Sequence, residues 1–317
     1  MHRPIYLDYN ATTPVSADVI KSIHVYLYEY FGNPSSTHAY GLRAREGVSW
    51  AREQLAELMG AEPQEIVFTG SASEANNMAI LGCARALRDR GQHLITTAVE
   101  HPSVMQPLLH LQQEGWELTI IPVDEYGQVT PEDVRSAIRS DTVIVSIMHA
   151  NNEVGTIQPI AEIAAITREL GIILHVDAAQ SVGKIPVSVD ALGVDLLTLA
   201  GHKFYAPKGV GALYIREGVQ LEKIMFGAGQ ERGRRTGTEN VPYIVGIGEA
   251  ARLAREGMTL DLERLRNKRN RLYGKLHDAI PGLKLNGHPS DRLPGTLNVS
   301  LPGVDGNTLL NQLSDVL

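Results

Sequence analysis

The stretch LLTLAGHKFYAPKGVGALYI, residues 196–215, decides the fold class. It contains two apolar, strand-like runs, 196–201 and 211–215, joined by a short loop with glycine and proline, so the runs are predicted to pair as antiparallel neighbours. Their apolar residues are largely successive rather than alternating, which is typical of strands that helices cover on both faces. The stretch therefore predicts two buried strands, with Lys203 in the loop between them.

Similar apolar runs precede this stretch and alternate with amphipathic segments, which is the pattern of an α/β fold with a mostly parallel sheet. The other predicted strands are residues 65–69, 93–98, 117–123, 142–148 and 171–177. The predicted helices are residues 74–90, 102–114, 131–139 and 159–170.

The pattern changes near residue 257, where a long, highly charged helical segment is followed by two short strand-like runs and a final helical segment. We therefore expect three parts: an N-terminal arm (1–15), a large domain (16–256) and a smaller α+β domain (257–317). Because the last part holds only two strands and two helices, we expect it to be truncated at its C-terminal end.

Composition and charge exclude several classes of protein. Apolar residues make up 43% of the 317 residues and charged residues 21%, as in a soluble globular protein. The formal net charge of -7 argues against a nucleic-acid binder, which normally shows a basic patch. We find no signal-peptide core and no run long enough to span a membrane. Cys83 is the single cysteine, so we expect a cytoplasmic protein with no disulfide and no cysteine-based metal site.

Polar segments follow the predicted strands at their carboxyl ends, which is where ligands bind in an open α/β sheet. Besides the loop around Lys203, these segments are TGSASEANN (69–77), AVEHPSV (98–104), MHANNEVG (148–155) and HVDAAQSVG (175–183).

Each polar segment has two interpretations. The small residues 70–73 suit either an anion site at a helix N-terminus or a serine N-cap without a ligand. Asp177 either meets a positive partner, such as a protonated ring nitrogen, or caps a helix. His101 precedes a proline and either caps the next helix or stacks on a planar ligand. Lys203 is either a solvated surface lysine or a nucleophile.

Taken together, these segments describe a pocket for pyridoxal 5'-phosphate (PLP). They offer a phosphate site, an acid for a ring nitrogen, a stacking histidine and a lysine. Lys203 would form a Schiff base with the aldehyde of PLP, and Asp177 would strengthen the electron-withdrawing ring. We therefore predict PLP as the cofactor and Lys203 as its covalent anchor.

The chain resembles the cysteine desulfurases and selenocysteine lyases, a branch of the class-V aminotransferase-like enzymes of fold type I. This resemblance covers nearly the whole chain and implies a mostly parallel sheet flanked by helices. It rests on YLDYNATTP (6–14), GNPSSTHAYG (32–41), EHPSV (100–104), HANNEVG (149–155), DAAQSVGK (177–184), AGHKFYAPKGVGALYIR (200–216) and GAGQERGRRTGTENVP (227–242).

The resemblance also implies a role for each matched residue. Lys203 would remove the proton from the substrate Cα, and His101 would stack on the cofactor ring. Asn33 and Arg235 lie in segments near the substrate pocket of the family. The other implied cofactor contacts are Ala72, Ser73 and His202 at the phosphate, Asp177 at the pyridine nitrogen, Asn152 and Gln180 near the phenolic oxygen, and Thr238 at the phosphate of a partner subunit.

The implied reaction converts L-cysteine to L-alanine and passes the sulfur to a cysteine as a persulfide, for iron–sulfur cluster or thio-cofactor assembly. L-selenocysteine as substrate, another reaction on the same fold and an inactive PLP-binding homologue are alternatives. The resemblance implies a homodimer with shared sites and a sulfur-acceptor or scaffold protein as partner.

The family's sulfur-accepting cysteine and carboxylate-binding arginine lie beyond the part of the family that these 317 residues match. We therefore expect this chain to bind PLP without forming a persulfide. Cys83 lies in an apolar helical segment and is expected to be a core residue.

Overall fold

The computed structural model describes residues 5–313. Within them, seven strands form one sheet and two short strands form a separate hairpin-like pair. The strands are β1 (Ile66–Thr69), β2 (His93–Thr97), β3 (Glu117–Ile121), β4 (Thr142–Met148), β5 (Ile173–Asp177), β6 (Leu196–Ala200), β7 (Gly211–Ile215), β8 (Lys284–Leu285) and β9 (Val299–Ser300).

The helices begin at residues that satisfy exposed backbone amides. The side chains of Ser71 and Thr130, for example, accept hydrogen bonds from Glu74 N and Asp133 N at the starts of two helices. The α-helices are α1 (Ala17–Tyr28), α2 (Ala39–Met59), α3 (Ala72–Ala86), α4 (Pro102–Gln113), α5 (Pro131–Ala137), α6 (Ile160–Glu169), α7 (Val189–Leu192), α8 (Val241–Ala279) and α9 (Gly306–Leu313).

The large sheet has the strand order β1-β7-β6-β5-β4-β2-β3. Strands β2 to β6 pair in parallel, whereas β7 is antiparallel to both β6 and β1. The predicted mostly parallel α/β sheet is therefore confirmed, as is the antiparallel pair on either side of the Lys203 loop. Strand β5 is the central strand, so Asp177 lies at the middle of the carboxyl edge.

Two helical layers cover the sheet and explain why its strands are apolar at successive positions. On one face, α3 and α4 contribute fully buried side chains such as Ile80, Leu108 and Leu111. On the other face, α1, α2, α6 and α8 contribute side chains such as Leu55 and Ile247. Each fully buried aliphatic side chain of this kind contributes about 1.5–3 kcal/mol to the free energy of unfolding.

Helix α8 is continuous through the domain boundary that we expected at residues 256 and 257. Its buried residues lie between Val241 and Ala251, where it packs on the large sheet, and the later part is mostly exposed. Backbone contacts also join the two parts, since Leu293 N donates to Gly155 O at 2.9 Å. The boundary therefore stays a prediction.

No helix in residues 5–313 combines the length and the apolar character that a membrane crossing requires.

Two glycines of α8 provide a matched test of this packing. A Cβ atom at Gly248 would lie 2.5 Å from Ala51 Cα in α2, whereas a Cβ atom at Gly274 would have nothing within 4 Å. We expect Gly248→Ala to lower the free energy of unfolding by about 1–3 kcal/mol because the two helices must separate. Gly274→Ala should raise it by about 0.5–1 kcal/mol through helix propensity. Denaturant unfolding of both variants measures this, and equal effects would contradict the close α2–α8 contact.

Candidate active site

The polar segments predicted from the sequence meet at one edge of the large sheet. The ladder pairs Thr69 with Gly211, Gly211 with Ala200, and Asp177 with Met148 across neighbouring strands. The segments after β1, β2, β4, β5 and β6 therefore leave the sheet side by side, as expected for the carboxyl ends of strands.

Asp177 is a buried carboxylate at the end of β5, with 6% of its surface exposed. Its Oδ2 accepts a hydrogen bond from Asn76 Nδ2 at 2.8 Å, and its Oδ1 accepts one from Ala179 N at 3.0 Å. Burial raises the pKa of Asp177, while these two donors and the charges of His101 and Lys203 oppose that rise. One oxygen accepts an amide of the turn that follows β5, not of a helix, and the other faces a polar network, so the positive partner of Asp177 stays a prediction.

That polar network runs from Asp177 to His101. Asn76 Nδ2 also donates to Ser103 Oγ at 2.8 Å, and Ser103 Oγ lies 2.7 Å from His101 Nδ1. His101 Nδ1 additionally accepts the backbone amide of Ser103 at 3.1 Å, which caps α4. Because an amide N–H can only donate, Nδ1 is an acceptor, and the neutral ring carries its proton on Nε2. The ring itself is exposed at the mouth of the site.

Lys203 lies in the loop after β6 and points at the N-terminal arm. Its Nζ donates to Asn10 O at 2.5 Å and to Ala11 O at 3.0 Å. Burial lowers the pKa of Lys203, although Asp177 and other nearby carboxylates oppose this. A lowered pKa makes the neutral, nucleophilic amine more accessible near pH 7.

Asn10 connects Lys203 to two further predicted residues. Its carbonyl also accepts a hydrogen bond of 2.9 Å from Gln180 Nε2, and its Nδ2 donates to Asn152 O at 3.1 Å. The same Nδ2 donates to Thr296 Oγ1 at 3.2 Å. The structure thus brings Gln180 and Asn152 together with Lys203 through one arm residue.

The start of α3 supplies free amides at the same edge. Ser71 Oγ accepts the amide of Glu74 at 3.1 Å, so the serine is an N-cap and the helix begins at Ala72, two residues before the predicted start. No hydrogen-bond acceptor for the amides of Ala72 and Ser73 occurs in the described part of the chain. These two amides, at the positive end of the helix dipole, are available to an anion.

Gly211 and His202 shape the surroundings of that helix start. A Cβ atom at Gly211 would lie 2.8 Å from the carbonyl carbon of Ser71, so only glycine allows β7 to approach so closely. Burial and the nearby charges of Lys203, Lys208 and Lys184 lower the pKa of His202 to about 4. The ring is therefore neutral at pH 7, with Nδ1 at 3.1 Å from Thr12 Oγ1.

Asn33, Arg235 and Thr238 form no hydrogen bond with another predicted site residue within residues 5–313. Asn33 lies in the loop between α1 and α2, where its side chain accepts the amide of Ser35. Arg235 contacts the helix start instead, with its Nε 2.8 Å from Glu74 Oε1. Thr238 is exposed, and its side chain forms no hydrogen bond within residues 5–313.

Sequence reasoning missed Asn76, Ser103 and Asn10, although all three lie inside motifs that it quoted. Asn76 is one turn into α3, where the spacing from Ser71 and Ala72 placed it on the side that faces β5. That signal was available only once the helix start was known to be Ala72 and not Glu74.

Glu100, which directly precedes His101, is a second buried acid that sequence reasoning did not single out. Its Oε1 accepts Thr97 Oγ1 at 2.7 Å and Met148 N at 2.9 Å, while Oε2 is buried and has no partner in the described structure. Burial raises the pKa of Glu100 to about 8. The side chain is therefore a neutral acid at pH 7 that joins the ends of β2 and β4.

Cys83 is a core residue of α3, as expected. Burial, with a smaller contribution from the charge of Asp195, raises the pKa of its thiol to about 12, so the reactive thiolate is not populated near pH 7. Nor does any group of three His, Cys, Asp or Glu side chains within residues 5–313 converge in a way that could hold a metal ion.

Known proteins match the chain over nearly its full length. The Aminotransferase class-V family model matches residues 5–316. A cysteine desulfurase IscS from Dictyoglomus turgidum is 48% identical over 313 residues, which cover 99% of this chain and 79% of that protein. The resemblance to cysteine desulfurases is therefore confirmed.

Solved structures show the same fold. A NifS-like protein superposes with a TM-score of 0.95 at 39% identity, covering 99% of this chain and 86% of that one. A structure described as SspA in complex with cysteine superposes with a TM-score of 0.85 at 35% identity, covering 98% and 86% of the two chains.

The buried acid Glu100 makes stability depend on pH. Because its folded pKa of about 8 lies above the ordinary value of 4.5, its stabilising contribution is complete below pH 4.5 and is lost as the pH rises through 8. That loss has a limiting slope of about 1.4 kcal/mol per pH unit. Glu100→Gln cannot ionise, so we expect its free energy of unfolding to fall less than that of the wild type between about pH 6 and 9.

Urea unfolding at several pH values measures the difference. Glu125→Gln, at an exposed position, is the matched control and should follow the wild type. If Glu100→Gln showed the same pH dependence as the wild type, Glu100 would not be the neutral buried acid described above.

Proposed function

This chain belongs to the aminotransferase class-V family, and we propose that it is a PLP-dependent cysteine desulfurase. The observation that supports this most is the convergence of buried Asp177, Lys203 and the free amides of α3 on one sheet edge. Those groups match the three functional parts of PLP, which are its ring nitrogen, its aldehyde and its phosphate.

The residues present fit this cofactor. Asp177 is buried beside an unpartnered Asn76 Oδ1, so a protonated ring nitrogen would give the carboxylate the positive partner that its burial requires. Lys203 would hold the aldehyde. The amides of Ala72 and Ser73 would hold the phosphate, together with His202.

The remaining predicted residues take supporting roles in this proposal. His101 would stack on the ring, because Ser103 and the helix cap fix its Nδ1 and leave the ring face exposed. Gln180 and Asn152 would lie near the phenolic oxygen, and Asn33 and Arg235 would act on the substrate side.

When bound, PLP supplies an electron sink that acidifies the substrate Cα–H bond. Lys203 is the base that would take this proton, since burial lowers its pKa towards neutral pH. The arm carbonyls of Asn10 and Ala11 hold the lysine amine in the described state and would release it when it reacts. His101 Nε2, the protonated ring nitrogen, is free to donate at the mouth of the site.

The overall reaction would transfer the sulfur atom of L-cysteine to an acceptor thiol, giving L-alanine and a persulfide with no further oxidant or reductant. The acceptor must be an exposed, readily ionised thiol. Cys83 does not meet that requirement because it is buried and protonated. We therefore propose that the acceptor is a thiol other than Cys83, such as that of a sulfur-acceptor partner.

A homodimer completes this proposal. Exposed apolar side chains on α1, on the following loop and at the start of α2, including Leu27, Tyr28, Phe31 and Tyr40, form a surface that a second copy would bury. The exposed Thr238 would then reach the phosphate of the partner's cofactor.

We expect Lys203→Ala to abolish the visible absorbance that PLP acquires on covalent attachment to the protein. Lys208→Ala is the matched control, since it is the next lysine in the same loop and should retain the absorbance. Spectra after incubation with PLP and removal of the excess measure both variants. Retained absorbance in Lys203→Ala would refute the cofactor assignment.

Activity is tested by the alanine formed from L-cysteine in the presence of an added small thiol, with L-selenocysteine run in parallel. We expect alanine from the PLP-loaded wild type and none from Lys203→Ala. If the PLP-loaded wild type formed no alanine, the desulfurase assignment would be wrong, and the chain would be a PLP-binding protein without that activity.

A further inference from the structure

Lys184 is a second lysine at the cofactor edge, four residues after Gln180. Its Nζ donates a hydrogen bond of 2.7 Å to Gln180 Oε1. Burial, and to a smaller extent the charge of Lys203, lower the pKa of Lys184 to about 7. It forms no ion pair with any residue between 5 and 313. An amine that is partly removed from water without a carboxylate partner costs free energy, so packing alone does not explain this half-buried side chain.

The contact of Lys184 fixes which way the Gln180 amide faces. A glutamine amide has an acceptor end and a donor end that exchange when its terminal torsion rotates by half a turn. In its protonated form the Lys184 amine only donates, so it holds Oε1 and turns Nε2 towards the Lys203 pocket. There Nε2 donates to Asn10 O at 2.9 Å, the same carbonyl that accepts Lys203 Nζ.

We propose that Lys184 is a positioning residue, which holds Gln180 so that its Nε2–H group is presented to the phenolic oxygen of the cofactor. This inference rests on the proposed function, because it needs PLP in the site. Without Lys184, only the bond from Nε2 to Asn10 O would hold the amide, so the amide would turn more readily and would spend part of its time with its acceptor facing the phenolic oxygen.

Charged groups also surround Lys184 and Lys203. The charge of Lys203 acts on Lys184, while His202, on which Lys184 and Lys208 both act, is neutral at pH 7. Asp177, Asp8 and Glu153 act on Lys203. The amide donor of Gln180 favours the anionic form of the phenolic oxygen, so loss of its orientation should make the bound cofactor harder to deprotonate.

The test is a double-mutant cycle on PLP binding with wild type, Lys184→Met, Gln180→Ala and the double variant. We expect Lys184→Met to weaken the affinity for PLP about tenfold and to raise the pH midpoint of the visible absorbance by about half a unit or more. In the Gln180→Ala background, the same change should have an effect below about twofold, because Lys184 acts through Gln180. Lys184→Leu is a second apolar variant with the same expected result, for use if the methionine variant does not fold.

Lys208→Met is the matched control, since this lysine also lies near His202 but has no contact with Gln180. It should change neither the affinity by more than about twofold nor the pH midpoint. An equal effect of Lys184→Met in both backgrounds, an equal effect of Lys208→Met, or no effect of Lys184→Met would each overturn the proposal. Failure of the wild type to bind PLP would instead refute the proposed function, so the two failures are distinguishable.

Discussion

The site depends on one carboxylate buried at the end of the central strand. Asp177 has lost most of its contact with water, and no arginine or lysine within residues 5–313 is in direct contact with it. Its charge is therefore stabilised by Asn76, by the amide of Ala179 and by more distant positive groups. An arrangement of this kind is costly unless a positive ligand completes it. The sheet order places Asp177, at the end of β5, next to the Lys203 loop after β6, with the start of α3 after β1 further along the same edge. In the proposed function, a flat cationic ring with an anionic substituent, as in PLP, would meet Asp177 with its ring and the start of α3 with its anionic group.

The N-terminal arm connects the two sides of this site. The carbonyl of Asn10 accepts hydrogen bonds from both Lys203 and Gln180, and its side chain bonds Asn152 O and Thr296. The arm thus holds the Lys203 amine in place and links it to the segment that follows α8. In the proposed function, the carbonyls of Asn10 and Ala11 would lose this donor when Lys203 reacts, while Gln180 would keep its orientation because Lys184 holds its Oε1.

Local patterns in the sequence predicted the strands well, since both ends of β4 and of β7 agree with the prediction. They predicted α3 less well, because Ser71 caps the helix earlier than the run of small residues suggested. Lys203, His101 and Asp177 were singled out from residue type and from their position after strands, and their roles at a cofactor stay predictions. Asn76, Asn10 and Lys184 were not singled out, because their roles come from contacts between segments that are far apart in the chain. Asn10 and Lys203, for instance, are 193 residues apart and meet only when the arm folds over the sheet edge.

The central claim is that Asp177 holds a protonated ring nitrogen. Nitrogen-15 NMR of protein loaded with PLP labelled at that nitrogen measures its protonation directly. We predict a protonated nitrogen in the wild type near neutral pH and an unprotonated one in Asp177→Asn, because a neutral amide cannot stabilise the cation. An unprotonated nitrogen in the wild type, or the same state in both proteins, would contradict the account.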